Sequence, residues 1–469
     1  MPYRTEMVDM VDPVEEFDLL VVGGGKAGKT LAMDWARSGK RVAMVERGMI
    51  GGTCINVACI PTKALVASAR AMRTFARARQ LGFVTETPEA SAELLRAHKT
   101  GVVEGMVTIN HKQFVDSGMD FILGEARFTA QRTVAVTLNS GGTRRLRGAE
   151  AVVNTGTTPL LPDIPGLADA RVLTSETLLH LERLPEHLIV IGGGTVGLEF
   201  ADMFAAFGSR VTLVARGPRL LAREDEDIAQ AVTSLLAAGG VDVLTHRSAT
   251  SVRRGADGRV TVALSDGTVL SGDEVLVAVG RRPVTAGLDL PAAGVRTTAA
   301  GFVAVDDRLA TSAPHTWAAG DVAGSPQYTH ISLDDYRILK ANLAGGSRST
   351  KDRLVPHTTF LTPELARIGL TESQARAAGH QVRVARLPVA AIPRARTMRD
   401  TDGLWKAVVD ARTDRILGVA LLGPESGETL TTVQTAMLAD LPYTALRDMI
   451  ITHPTMTEGL NLLFAVLQD

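Results

Sequence analysis

The chain of 469 residues contains two cysteines, Cys54 and Cys59, which stand five positions apart. Thiolates are nucleophiles, and a close pair of cysteines can cycle between a dithiol and a disulfide. In a reducing compartment such a pair is more often catalytic, redox-sensing or metal-binding than structural. Pro61 predicts the first turn of a helix that continues to about Arg77. A helix N-terminus at the pair is expected to lower the pKa of a thiol placed there.

Ligand number argues against a zinc site at the cysteine pair, and loop length argues against a structural disulfide. Structural zinc usually takes four ligands, and neither a third cysteine nor a close cluster of histidines accompanies the pair. A structural disulfide between Cys54 and Cys59 would close a very short loop and would remove little chain entropy. A soft metal such as Cu(I), held transiently by these two thiolates, remains an alternative.

A glycine triplet lies before the cysteine pair, between a predicted strand and a predicted helix. The unit consists of a strand at 19–22, the glycines Gly23, Gly25 and Gly28, a helix at 29–38 and a strand at 41–45. Gly23 permits a tight turn, Gly25 lets a pyrophosphate approach the backbone, and Gly28 lets the helix pack on the strand. Glu46 follows Gly28 by 18 residues, where a carboxylate accepts hydrogen bonds from ribose hydroxyls. The pattern predicts a βαβ unit that binds a dinucleotide at a helix N-terminus.

The same pattern occurs a second time, but with a different residue after its last strand. This unit consists of a strand at 188–191, the glycines Gly192, Gly194 and Gly197, a helix that ends near 207 and a strand at 210–214. Ala215 and Arg216 stand where the first unit has its acid. A guanidinium pairs with a 2′-phosphate that a carboxylate would repel, so NADPH is favoured and NADH remains possible. The alternative for Arg216 is a solvated surface charge. Because a nicotinamide needs a hydride acceptor, the other dinucleotide is expected to be a flavin.

The residues from Gly51 to Lys63 read Gly-Gly-Thr-Cys-x4-Cys-x-Pro-Thr-Lys, which resembles the class I pyridine nucleotide-disulfide oxidoreductases. His453-Pro454-Thr455-x-x-Glu458 is similar to their C-terminal acid/base pair. The resemblance implies catalytic roles for Cys54, Cys59, His453, Glu458, Lys63 and Glu199. It implies FAD contacts at Gly23, Gly25, Gly28, Glu46, Gly52, Thr53, Thr155, Gly156 and Asp321, and NADPH contacts at Gly192, Gly194, Gly197, Arg216 and Gly280.

The resemblance also implies what each catalytic residue does. Cys59 would contact the flavin and Cys54 the substrate. His453 would exchange protons with the cysteine pair of the other subunit in a homodimer. Glu458 would orient that histidine, and Lys63 would pair with Glu199 beside the flavin.

Two segments indicate which branch of the family the chain resembles. Residues 331–337 and 387–399 are similar to the branch of reactive-chlorine-resistance copper(II) reductases and mercuric reductases. The chain lacks the C-terminal cysteine pair of mercuric reductase, so mercury reduction is not expected. Ala58 stands where the family usually has glycine before the second cysteine.

The expected function is therefore the reduction of Cu(II) or a related oxidant by NAD(P)H, in defence against oxidative stress. One alternative is a reductase of small disulfides, such as dihydrolipoamide dehydrogenase. Another is a flavin-binding redox sensor with little turnover.

The resemblance implies an α/β fold with two Rossmann-like dinucleotide-binding domains and an α+β dimerisation domain. Residues 1–155 and 283–350 are expected to form a discontinuous FAD domain. Residues 156–282 are expected to bind NAD(P)H, and residues 351–469 are expected to form the interface domain.

Charge and hydropathy argue against nucleic acid and membranes as partners. The chain has 50 Lys and Arg against 51 Asp and Glu, which gives no electrostatic case for nucleic acid or an anionic membrane surface. No apolar run is long enough to span a bilayer. Residues 1–18 contain several acids and no apolar core, so no secretory signal is expected there. The expected location is the cytoplasm.

Overall fold

The structure is a computed structural model that describes residues 13–86 and 88–467. The expectation that the N-terminus carries no secretory signal falls mainly on residues 1–12, which lie outside the described residues. Among the described helices, none combines the length and the apolar character that crossing a membrane requires.

The described residues form twenty strands and twelve helices. The strands are β1 Val14–Val22, β2 Val42–Glu46, β3 Asp120–Ala130, β4 Thr133–Leu138, β5 Thr143–Val153, β6 Thr157–Pro159, β7 His187–Ile191, β8 Arg210–Val214, β9 Val241–Leu244, β10 Ala249–Arg254, β11 Val260–Leu264, β12 Val269–Gly272, β13 Glu274–Val277, β14 Arg281–Pro283, β15 Thr316–Ala318, β16 His357–Thr359, β17 Leu365–Gly369, β18 Val382–Pro388, β19 Leu404–Asp410 and β20 Ile416–Leu422. The helices are α1 Lys26–Arg37, α2 Thr53–Asn56, α3 Cys59–Ala76, α4 Ala92–Ser117, α5 Thr195–Ala206, α6 Glu226–Ala238, α7 Thr329–Leu343, α8 Glu372–Ala377, α9 Pro393–Thr397, α10 Ser426–Leu438, α11 Tyr443–Asp448 and α12 Gly459–Ala465.

The chain divides into two compact units, each built from several segments. The first unit contains residues 13–59, together with Val103–Thr158 and Arg281–Arg353. The second unit contains the described residues of Ile60–Val102, Pro159–Gly280 and residues 354–467. The assignment of three domains by cofactor stays a prediction.

The first unit is built on a parallel sheet. β1 pairs with β2 and with β5, β2 pairs with β3, and β5 pairs with β15, all in parallel. β4 joins β3 and β5 through antiparallel pairings. Successive side chains of β1 enter two different cores, Leu20 and Val22 on one face and Leu19 and Val21 on the other. A strand buried on both faces is apolar at every position, which is why residues 19–22 read as a continuous apolar run.

The second unit contains a second parallel sheet, with the strand order β13, β7, β8, β9. It also contains an antiparallel sheet of β10, β11 and β12 and a five-stranded antiparallel sheet in the order β16, β17, β20, β19, β18. Leu188 and Val190 of β7 enter one core and Ile189 and Ile191 enter another, as in β1. Two parallel βαβ sheets and a C-terminal antiparallel sheet with helices confirm the predicted α/β fold class.

Candidate active site

The first glycine turn, residues 23–28, runs from the end of β1 into the first turn of α1 and leaves no room for a side chain at Gly23, Gly25 or Gly28. A Cβ atom on Gly23, whose φ is +98°, would lie 2.6 Å from the carbonyl oxygen of Asn154. A Cβ atom on Gly25, the N-cap of α1, would lie 2.4 Å from the Oδ1 atom of the same asparagine. On Gly28, a Cβ would lie 2.7 Å from a methyl group of Val21. The turn therefore presents bare backbone at a helix N-terminus, which suits a pyrophosphate.

Asn154, at the end of β5, holds this turn in place. The amide of Gly28 donates to its Oδ1 atom at 2.9 Å, and its Nδ2 atom donates to the carbonyl of Ala319 at 2.6 Å. The side chain is buried, so neither group has water as a substitute partner. No local sequence pattern indicates this role, because the two partners of Asn154 are 126 and 165 positions away along the chain.

Replacement of Asn154 by alanine is expected to lower the free energy of unfolding by about 2–4 kcal/mol, because it leaves a buried N–H and a buried carbonyl unpaired. Urea titration followed by circular dichroism measures the change. Asn139→Ala is the matched control, because Asn139 donates to a backbone carbonyl at an exposed site. A loss no larger than that of the control would contradict the role of Asn154.

Glu46 ends β2 beside the first glycine turn. One of its oxygens accepts from the amide of Gly24 at 2.8 Å, and the other accepts from the amides of Gly48 and Met49 at 2.9 Å. These bonds fix the buried carboxylate in one orientation. Carboxylate oxygens accept more than one hydrogen bond, so Glu46 fits the expected contact with ribose hydroxyls.

Gly52 packs against the same turn. Its φ is +81°, and a Cβ atom there would lie 3.0 Å from the carbonyl oxygen of Gly24. Gly52 is also the N-cap of α2, whose first residue is Thr53. The segment that leads to the cysteines is therefore fixed against the glycine turn by backbone contact.

The other residues expected to contact FAD also lie in the first unit. Thr155 donates its hydroxyl to the carbonyl of Val284 at 2.7 Å, and Gly156 has open space where a Cβ would stand. Asp321 accepts from the hydroxyl of Thr157 at 2.8 Å. Burial raises the pKa of Asp321. Glycine turns without room for side chains, an oriented carboxylate and a polar segment after β5 together fit a dinucleotide in this unit.

Cys54 lies in α2 and Cys59 is the first residue of α3, and no disulfide joins them in this structure. The sulfur of Cys59 lies 3.4 Å from the hydroxyl of Thr329. A hydrogen bond with Cys59 raises the pKa of Cys54, and burial and the negative charge of Cys59 raise it further. For Cys54 the expected lowering of the thiol pKa is therefore wrong. A helix N-terminus is a small effect beside burial and a second thiolate in contact.

Lys63 and Glu199 are brought together in the second unit, as the resemblance implied. The Nζ atom of Lys63 lies 2.6 Å from the Oε2 atom of Glu199 and 4.7 Å from the centre of the Phe360 ring. The Oε1 atom of Glu199 accepts from the amide of Phe360 at 2.8 Å. Because Glu199 is buried, the pair holds the lysine ammonium in a fixed position.

The second glycine turn, residues 192–197, runs from the end of β7 into the first turn of α5. A Cβ atom on Gly192 would lie 2.3 Å from a carbonyl oxygen, and one on Gly197 would lie 2.1 Å from the carbonyl oxygen of Gly192. A Cβ atom on Gly194, the N-cap of α5, would have no other atom within 4 Å. The same is true of Gly280, which follows β13. This backbone fits a second dinucleotide.

Two residues for which the sequence predicts a role in nucleotide selectivity follow β8. Ala215 is buried, and Arg216 is exposed. In residues 13–86 and 88–467 no carboxylate lies within ion-pairing distance of Arg216, so its charge is not neutralised by an acid. An exposed guanidinium at this position can pair with a phosphate.

His453 and Glu458 form a pair in the second unit. The Nδ1 atom of His453 lies 2.8 Å from the Oε2 atom of Glu458, and 69% of the histidine side chain is exposed. With Nδ1 hydrogen-bonded to the carboxylate, Nε2 is the nitrogen that can exchange protons with another group. The pairing of these two residues was expected from the sequence.

Each unit thus collects its own set of predicted residues. The first unit contains the two cysteines and every residue expected to contact FAD. The second contains Lys63, Glu199, His453, Glu458 and the residues expected to contact NADPH. Across residues 13–86 and 88–467, no group of three or more His, Cys, Asp or Glu side chains could hold a metal ion. Transient metal binding by the two cysteines stays a prediction.

Comparison with known proteins identifies the family of the chain. Residues 17–335 match the family described as pyridine nucleotide-disulphide oxidoreductase, and residues 355–463 match its dimerisation domain. The chain is 42% identical to the probable pyridine nucleotide-disulfide oxidoreductase RclA of Escherichia coli, over 97% of this chain and 100% of that protein. It is 36% identical to mercuric reductase of Streptomyces lividans, over 95% of each.

A solved structure matches the whole fold. The Cu(II) complex of the HOCl-induced flavoprotein disulfide reductase RclA from Escherichia coli superposes with a TM-score of 0.90 at 41% identity. The match covers 97% of this chain and 100% of that one. These findings confirm the predicted family and its branch. The chain therefore belongs to the pyridine nucleotide-disulphide oxidoreductase family, whose members are oxidoreductases that use FAD and a pyridine nucleotide.

Proposed function

We propose that this protein uses NADPH to reduce Cu(II), or a related oxidant, through a redox-active Cys54–Cys59 disulfide, in defence against oxidative stress. The observation that carries the proposal is the position of the two thiols. They interact with each other, and the N-cap of the helix that contains Cys54 is Gly52, which packs on the first glycine turn. The similarity to a reductase solved as a Cu(II) complex supports the choice of acceptor.

FAD would be held by the residues of the first glycine turn and by Glu46, Gly52, Thr53, Thr155, Gly156 and Asp321. Those of the second glycine turn, with Arg216 and Gly280, would hold NADPH. When both are bound, they supply a pair of electrons from the nicotinamide to the disulfide. Lys63, held by Glu199, would present its ammonium at a fixed place beside the flavin.

The cysteines carry the electrons to the acceptor. The disulfide takes up two electrons and one proton, its S–S bond breaks, and one thiol and one thiolate form. Two Cu(II) ions then each accept one electron from the cysteine pair. The S–S bond forms again, the proton is released and two Cu(I) ions leave. Thiolates are suitable temporary ligands for Cu(I) during this step.

We infer that the protein works as a homodimer in the cytoplasm, with His453 of one subunit serving the cysteine pair of the other. The match of residues 355–463 to a dimerisation domain supports this inference. Residues 1–155 and 283–350 would form the FAD domain, residues 156–282 the NADPH domain and residues 351–469 the interface domain.

A second candidate function is the reduction of a small disulfide. The pair of His453 and Glu458 favours it, because thiol–disulfide exchange needs a proton for the leaving thiolate and the reduction of a metal ion does not. The two functions share the cysteine pair and differ in the acceptor.

The anaerobic rate of NADPH oxidation, measured with Cu(II) and with lipoamide, tests the choice between them. A fast rate with Cu(II) and a slow one with lipoamide is expected. A fast rate with lipoamide alone would overturn the proposed acceptor and favour the second function. Negligible oxidation of NADPH with either acceptor would favour a flavin-binding redox sensor.

Replacement of Arg216 by alanine is expected to raise the KM for NADPH by about tenfold to a hundredfold, as the loss of a hydrogen bond to a charged group does. The KM for NADH should hardly change, because NADH has no 2′-phosphate. Steady-state kinetics with both nucleotides measure the effect. Arg210→Ala is the matched control, because Arg210 is an exposed arginine at the start of β8, the strand that ends just before Ala215 and Arg216. Equal changes for both nucleotides would contradict the role of Arg216.

A further inference from the structure

Helix α7 contains residues 331–337, one of the two segments by which the sequence resembles one branch of the family. Two buried side chains of this segment, Ser332 and Asp335, are three positions apart and share a face of the helix. The hydroxyl of Ser332 accepts from the amide of Ala27, in the first glycine turn, at 3.1 Å. The Oδ2 atom of Asp335 accepts from the amide of Gly320 at 2.7 Å. One face of α7 therefore holds two separate segments of the chain that are expected to contact FAD.

The contact with Gly320 fixes the residue that precedes Asp321. Gly320 has a φ of +71°, and a Cβ atom there would lie 2.9 Å from the hydroxyl oxygen of Ser332. The carboxylate of Asp321 accepts from the hydroxyl of Thr157 at 2.8 Å. A turn of the backbone at Gly320 would break a buried hydrogen bond, which is unfavourable. The position of Asp321 therefore depends on Asp335.

Asp335 is a buried carboxylate with a partner on each of its oxygens. None of its side chain is exposed, at 0%. Its Oδ2 atom also accepts from the hydroxyl of Ser325 at 2.8 Å, and its Oδ1 atom accepts from the Nη1 atom of Arg353 at 2.7 Å. A buried carboxylate is unfavourable unless a cation compensates for its charge. Arg353, whose side chain is 15% exposed, supplies that cation.

We propose that the ion pair of Asp335 and Arg353 positions the flavin site, because it fixes Gly320, and with it the carboxylate of Asp321, in the conformation that binds FAD. This inference rests on the proposed contact between Asp321 and FAD. A segment that is fixed before the cofactor binds loses little conformational freedom on binding, and the affinity is higher for that reason. Breaking the ion pair should therefore weaken the binding of FAD, although neither residue of the pair is itself expected to contact it.

The dissociation constant of FAD, measured on the full-length holoprotein, tests the proposal. The holoprotein is equilibrated at a series of dilutions, and the released FAD is measured in an ultrafiltrate by its fluorescence. Asp335→Asn is expected to raise the dissociation constant about tenfold, which corresponds to the loss of one hydrogen bond between charged groups. The amide oxygen of the asparagine can still accept from Gly320, but its NH2 group faces Arg353 and cannot accept a hydrogen bond.

Further variants test whether the charge of the pair matters. Arg353→Met removes the other partner and should give a similar rise, whereas Arg353→Lys keeps the cation and should restore most of the affinity. Asp335→Asn combined with Arg353→Met should raise the constant by less than the product of the two single effects, because both substitutions remove the same contact. Asp34→Asn is the matched control, because Asp34 of α1 pairs with Lys340 of α7 at 2.9 Å but at an exposed site. It should leave the dissociation constant unchanged.

Urea unfolding of the same variants separates positioning from general stabilisation. A purely structural role of the ion pair would lower the free energy of unfolding and leave the dissociation constant of FAD unchanged, and that result would overturn the proposal. If Asp335→Asn does not yield folded protein, Arg353→Lys and Arg353→Met decide the question. Equal affinities for FAD in these two variants would then overturn the proposal, and tighter binding by the lysine variant would support it.

The outcomes also distinguish this inference from the proposed function. If the unaltered protein binds FAD and the variants of Asp335 and Arg353 bind it as tightly, the positioning role is wrong and the redox role of the cysteines stands. If the unaltered protein binds no FAD, the proposed function fails, and this inference fails with it.

Discussion

Replacement of Cys54 by serine is expected to lower the rate of NADPH oxidation with Cu(II) by at least about a thousandfold, as the loss of a catalytic nucleophile does. A serine hydroxyl has nearly the size of the thiol, so the α2 turn should be preserved. It cannot form a disulfide, and it is not ionised at neutral pH. The two electrons then cannot pass from the bound flavin to the acceptor through the cysteine pair.

The measurement is the anaerobic steady-state rate at saturating NADPH, normalised to bound flavin. Cys59→Ser should give a comparable loss, because either substitution removes the disulfide. Ala67→Ser is the matched control, because it adds a hydroxyl to an exposed position of α3 and leaves both sulfurs intact. That control should keep the rate of the unaltered protein.

Full activity in Cys54→Ser would show that electrons reach Cu(II) without passing through the disulfide. Loss of activity together with loss of flavin would instead indicate damage to the fold. The absorbance of bound flavin separates these two results. The mechanism through the cysteine pair stands only if the flavin stays bound and the rate falls.

The backbone of the site could be predicted from the sequence, because local rules determine it. Gly23 and Gly192 adopt positive φ at the ends of β1 and β7, where only glycine is readily accommodated. The helix after the first turn starts at Lys26 and not at residue 29, so Gly28 lies inside α1. It is placed there because the helix packs so closely on Val21 that a Cβ would not fit.

The contacts that complete the site join distant parts of the chain and carry no local signal. Asn154 connects Gly28 with Ala319, and these residues are 126 and 165 positions from it. Lys29 looks like an ordinary helix residue in the sequence, and only the fold brings Asn110 to it and buries its charge.

The direction of the pKa shift of Cys54 also could not be predicted from the sequence. A helix start next to a cysteine pair predicts a lowered thiol pKa, because the helix dipole can be read from the sequence. Burial and the charge of Cys59 depend on the fold and act in the opposite direction. Because one thiolate disfavours a second beside it, two thiols in contact do not both ionise as readily as a single cysteine does.

Replacement of His453 by glutamine is expected to lower the rate with lipoamide by about a hundredfold to ten-thousandfold, the usual contribution of a general acid or base. Thiol–disulfide exchange requires the leaving sulfur to be protonated, and glutamine cannot supply that proton. The rate with Cu(II) should stay within about threefold of the unaltered protein, because a metal ion takes electrons and no proton. For each acceptor, the rate of the variant is divided by the rate of the unaltered protein with the same acceptor. The loss with lipoamide can therefore be measured even if the unaltered protein reduces lipoamide slowly.

His315→Gln is the matched control for this substitution. The Nδ1 atom of His315 lies 2.8 Å from a carboxylate oxygen of Glu150, and 61% of its side chain is exposed, so it reproduces the local setting of His453. It belongs to the first unit and to no predicted site, and its replacement should change neither rate. Glu458→Gln should give a smaller loss with lipoamide than His453→Gln, because the histidine remains and loses only its orienting carboxylate.

The ratio of the two losses shows what the histidine does. A large loss with lipoamide alone means that His453 transfers protons, and that the chain has kept the acid/base pair of a disulfide reductase whatever its main acceptor is. Equal losses with both acceptors would contradict proton transfer and would point to a role in joining the subunits. Size-exclusion chromatography of the variant then decides, because a subunit contact weakened by the substitution releases monomer and a missing proton donor does not.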